Sequence, residues 1–136
     1  MCLIANNNIP SRSKSGITCY KVLHHFNTSK EWYTTLFANY HVSLDYSDTL
    51  KSSGRKDIKD TDHGCEVHGG YVHTYSSLND ALRVANDFKE CNKKCKFTVF
   101  ECVIPANVEY YYGRTSKDMF SYASDSIRFV KKIKEI

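Results

Sequence analysis

Residues 69–91, GGYVHTYSSLNDALRVANDFKEC, change their period midway, and the change decides the fold. Gly69 to Tyr75 has the glycine lead and β-branched content of a short strand. At Ser77 the pattern turns helical. Ser77-Leu78-Asn79-Asp80 resembles a capping box with aspartate at the acidic position, and Leu78, Ala81, Leu82, Ala85 and Phe88 share one stripe at helical spacing. Lys93 and Lys94 suit the negative carbonyl end. A strand running into a helix of about Ser77 to Cys91 is therefore predicted. Packing alone accounts for the apolar residues; the histidines are surplus to it and so are candidates for chemistry.

Working outward, Thr18 to Phe26 and the stretch KFTVFECVIP, closed by Pro105, carry the residues of strands. Along the latter, Glu101 interrupts a row of Phe97, Val99 and Val103, which makes it a partnered, marginal or functional carboxylate. EWYTTLFANYHVSL adds one or two strands. VEYYYG and SYASDSIRFVKKIKEI add two or three more, although Ile127, Val130 and Ile133 also permit a helical ending. Asp45 to Gly64 is polar and aperiodic and is expected to be the longest loop. The sum is a single α+β domain over 1–136: a curved, mostly antiparallel sheet of about six strands with one principal helix packed on it.

A chain of 136 residues with 41% apolar content supports one core, and its 19 basic against 15 acidic residues give only +4, too little to demand binding to duplex nucleic acid. The basic runs KKCK and RFVKKIK are expected to be solvated faces. No apolar leader or membrane-length run occurs in the sequence, so a cytoplasmic location is expected. In a reducing compartment Cys19, Cys91, Cys95 and Cys102 serve as small core or rim hydrophobes.

Candidate chemistry is sparse. His63, Cys65, His68 and His73 supply metal donors within eleven residues, but in a spacing that fits no familiar finger, and no metal or cofactor is expected. Cys2 followed by Leu3-Ile4 reads as an apolar strand rather than a nucleophile. HVSL (His41 to Leu44) resembles half of the signature of two-histidine phosphoesterases, whose second copy is lacking because HTYSS has its hydroxyl one place early. Ten tyrosines include the run Tyr110-Tyr111-Tyr112, which cannot all lie inside a small core, so at least one ring is available to stack on a base.

In the order MCLI, CYKVL, GGYVHTYSSLNDALRVA, FECVIP, YYYG and ASDSI, the sequence resembles a group of small accessory proteins of tailed phages and prophages over most of its length. The resemblance implies an infected bacterial host and a role in countering its defences, including by seizing or destroying nucleotide immune signals; it transfers no catalytic residue. More narrowly, Gly70-Tyr71, Thr74, Ala81, Ala85 and TVFECVI resemble the middle of ADP-ribosyltransferase-like domains, with Tyr20-Lys21-Val22 where those enzymes carry a His-Gly-Thr/Ser or an Arg. That likeness implies a nucleotide-sized cleft beside a mixed sheet.

The expected function is accordingly sequestration or degradation of a cyclic dinucleotide or an ADP-ribose derivative. Tyr111 or Tyr112 would stack on a base. Lys21, Arg114 and Arg128 would meet phosphates, and His73 with Tyr75 would wall the site. If turnover occurs, His73 is the general acid or base of a metal-independent phosphodiesterase, oriented by Glu101. The rivals are a protein-binding inhibitor of a host factor and an ADP-ribosyltransferase-like enzyme. The expected partner is a small nucleotide, with neither duplex nucleic acid nor membrane, and a homo-oligomer is left open.

Overall fold

Ser77 does cap a helix. In the computed structural model α1 spans Leu78–Cys91, and the Ser77 hydroxyl accepts from the backbone N–H of Asp80 at 3.4 Å. The structure describes residues 3–26, 33–35, 41–42, 49–52, 57–67, 70–115 and 119–136. Before the helix come β1 (Leu3–Ala5), β2 (Ser11–Arg12), β3 (Ile17–Phe26), β4 (Tyr33–Thr35), β5 (His41–Val42), β6 (Thr49–Lys51), β7 (Ile58–Thr61), β8 (Gly64–Val67) and β9 (Val72–Tyr75). After it come β10 (Cys95–Ile104), β11 (Glu109–Arg114), β12 (Phe120–Ser124) and β13 (Ser126–Glu135).

The expectation of an α+β fold with about six strands is overturned: the molecule is mostly sheet, with thirteen strands in one sheet and a single helix among the described residues. The undercount has a physical cause. Several strands are only two to four residues long, too short to show alternation, and two of them, β6 and β7, lie inside the stretch expected to be a loop. The C-terminal residues form β13, not a helix.

The path of the sheet is β6-β13-β10-β3-β9-β12-β11-β1-β8-β7, with β2, β4 and β5 paired off it. Every pairing is antiparallel, and the longest ladder joins β3 to β10 over their full lengths, from Ile17 opposite Ile104 to Phe26 opposite Cys95. Since β12 pairs with β9 while β13 pairs with β10, and only Asp125 separates β12 from β13, the sheet leaves one chain segment and returns to it. It must therefore roll. The corner is held by Asp125 N–H donating to Glu109 O at 3.0 Å and by Ser52 N–H donating to Asp125 O at 2.7 Å.

Alternation sorts the side chains into two faces. The concave one buries Cys19, Leu23, Val72, Phe100, Ile127 and Phe129, with the Phe100 and Phe129 rings edge to face at 5.6 Å. On the other face α1 seats Ala81, Val84 and Ala85 on Val22, Phe97 and Val99. A third cluster, Leu3, Ala5, Cys65, Val67 and Tyr111, joins β1, β8 and β11. There Gly113 and Gly64 flank β1 so closely that a Cβ on either would collide with the backbone oxygen of Ile4 or Ala5, respectively.

Candidate functional site

The residues singled out in the sequence do not all converge. Lys21 faces the concave interior, and its Nζ donates to the carbonyl oxygen of His73 at 2.7 Å. There the ladder between β3 and β9 consists of the one pair Tyr20 and Tyr75, so the ammonium satisfies a carbonyl near which the two strands part. Burial lowers the Lys21 pKa from 10.5 to about 8. The His73 ring belongs to the opposite face, in register with Ala123.

Glu101 shares that opposite face, in register with Tyr20 and Lys131. It stands across β3 from β9, so it lies about 10 Å from His73 across the sheet and about 7 Å along it, too far for one to orient the other directly. Tyr75 packs under α1 and is 4% exposed; burial, reinforced by Asp80, pushes its hydroxyl up to about 12. Arg128 is exposed on β13, five strands from β11 along the path of the sheet. Of the metal-donor set, His63 is exposed in the β7–β8 turn and Cys65 is wholly buried; Cys2, His68 and Gly69 lie outside the described residues, as do the side chain of His41 and residues 43–44 of HVSL.

One group does come together, around β11. β1 pairs with β11 as far as Ala5 opposite Gly113, and β2 resumes at Ser11 opposite Tyr110. Between them Asn6–Pro10, five residues against two, must stand off the strand. The hollow beneath has a volume of about 470 Å³ and is lined by Asn6, Asn7, Ile9 and Pro10 on one side and the three tyrosines on the other, a size in the range of small-ligand sites.

Its loop is pinned from both sides. Tyr111, 4% exposed, donates its hydroxyl hydrogen to Asn8 O at 2.7 Å, the Asn8 amide donates to Asp60 Oδ2 at 3.2 Å, and Ile9 N–H donates to Asn7 Oδ1 at 2.9 Å. Tyr112 alternates to the other face and is 47% exposed. Its ring stacks on Phe120 at 5.5 Å and 14° and leans on Tyr122 at 5.1 Å. Arg114 follows on that face, opposite Ile4 on one side and Phe120 on the other.

Four of the five exposed large hydrophobics among the described residues, Ile4, Ile9, Tyr112 and Phe120, border this region, a concentration typical of interaction sites. The sequence pointed to Tyr111, Tyr112 and Arg114. It gave no sign of Asn6–Ser11, because a polar loop announces nothing about what stands opposite. A second hollow of about 460 Å³, at the end of α1 near Lys93 and Lys94, has no aromatic lining. The chain matches no family model, no curated protein and no solved structure.

Proposed function

We propose that the chain binds a nucleotide at the β11 groove and withholds it without turning it over. The observation that carries this reading is the preformed hollow that unites the tyrosine run with the amides of Asn6 and Asn7. Tyr112, backed by Phe120, would offer a flat ring to a base, the two amides would offer donors and acceptors to its edge, and Arg114, on the same face as Tyr112, would meet a phosphate. The separation of His73 from Glu101 favours retention over cleavage. In the setting implied by the likeness to phage accessory proteins, the ligand is a host immune signal, either a cyclic dinucleotide or an ADP-ribose derivative.

Equilibrium dialysis against a panel of these nucleotides, followed by chromatography of the bound fraction, tests the proposal. Expected is one ligand per chain, recovered chemically intact, with affinity at least about tenfold weaker in Tyr112→Ala through loss of stacking. Release of a cleaved product would overturn retention, and failure to bind any member of the panel would overturn the nucleotide reading. The same exposed apolar cluster favours a second reading, an inhibitor that docks Ile4, Tyr112 and Phe120 on a host protein; it predicts that the panel leaves the melting temperature unmoved.

A further inference from the structure

The densest basic run of the chain lies on β13, whose geometry is set by two bulges. β13 meets β10 with Arg128 opposite Val103, Lys131 opposite Glu101 and Lys134 opposite Val99, and the register shifts once between Glu101 and Cys102 and again between Val99 and Phe100. Each shift inserts one residue. Side chains three apart, which an unbroken strand sends to opposite faces, are thereby brought to the same one. Lys51 of β6, opposite Ser126, extends the line by a further step on that face.

A two-residue step along a strand is about 7 Å, so the four cations form a row about 20 Å long. All four are exposed, and among the described residues none is ion-paired, whereas Arg12, Arg83 and Lys96 each meet a carboxylate. Edge strands do carry lysines merely to discourage aggregation. That role requires charge, but not even spacing on one face.

We propose that Lys51, Arg128, Lys131 and Lys134 form a track for the phosphodiester backbone of a single-stranded nucleic acid. The step of the row is close to the separation of successive phosphates in an extended strand, and one row neutralises one backbone where a duplex presents two. Tyr20, half-buried on the same face beyond Glu101, provides a ring on which a base can rest. Glu101 is the adverse element. Its carboxylate borders Lys131 and weakens the local field.

Fluorescence polarisation of a labelled oligothymidylate of about twelve nucleotides tests the track. Expected is binding whose logarithm falls with the logarithm of salt at a slope of about −3, as four contacts at about 0.7 each require. The Arg128→Ala/Lys131→Ala/Lys134→Ala variant should bind at least about tenfold more weakly with a slope near −1, Lys131→Arg should retain binding, and Glu101→Gln should tighten it. The exposed positions of the row leave folding intact, which circular dichroism and the melting temperature verify. Equal binding by the triple variant, a slope near zero, equal affinity for duplex, or displacement by polyglutamate at matched charge would each overturn the proposal. The row and the β11 groove lie on different strands, so the failure of either is read independently.

Discussion

Lys21 is enclosed at its ammonium by neutral groups of the rolled sheet, with Cys19 in register with Cys102 beside it. Burial acts on these neighbours in opposite senses: the lysine pKa falls to about 8, the Cys19 thiol rises from 9.0 to about 11, and that of Cys102 rises further. Between about pH 8 and 9 the unfolded chain retains the Lys21 proton that the folded one is losing, so stability rises with pH, by at most about 1.4 kcal/mol per unit. Above about pH 9 the unfolded thiols ionise while the folded ones stay protonated, and two opposing slopes outweigh one. Urea titrations across this range should therefore show a maximum near pH 9, and Lys21→Met should abolish the rise while keeping the fall. A wild-type curve that falls steadily from pH 7 would show that the ammonium is not held in a poorly solvated place.

At the scale of elements, β1 is the piece on which the groove depends, because it ends where the loop begins. Its fit between Gly113 and Gly64 leaves no room for a methyl group. Gly113→Ala should force β1 away from β11, with a loss of about 1–3 kcal/mol in a denaturant titration and a disproportionate loss of nucleotide affinity. Affinity as in wild type would detach the groove from β1. What the sequence discloses follows from locality. Ser77, its cap and the stripe of α1 are legible because a helix is specified by residues within a few positions of each other, and Tyr112 is legible because three successive tyrosines overfill a small core. The bulges of β13 are not. They are set by the long ladder with β10, a partner more than twenty residues away in sequence, and RFVKKIK read as a regular strand would separate Lys131 from Arg128 and Lys134. The Asn6–Pro10 loop is hidden for a like reason, since both strands that define its span pair with β11 from across the chain.

For the whole molecule, roll and groove divide the labour. The ladders of β10 with β3 and β13 surround Phe100 and Phe129, both essentially unexposed, whereas β2 is held by two register pairs. Local opening should therefore begin at the N-terminal segment and leave the roll closed, as expected where few buried contacts hold a strand. Native-state hydrogen exchange reads both parts at once. Amides of β3 and β10 should exchange only through global unfolding, those near Ser11 and Tyr112 faster, and a bound nucleotide should slow the second set far more than the first. Phe129→Ala supplies the converse. It removes a buried ring at a cost of about 3–5 kcal/mol, shared by every globally protected amide, yet it lies outside the groove and should leave nucleotide affinity unchanged while the chain remains folded. Were Phe129→Ala to weaken binding as much as Tyr112→Ala does, the groove would be a dependent of the roll, and the corner at Asp125, where β12 turns into β13 and hydrogen-bonds to β11, would be the element that couples them.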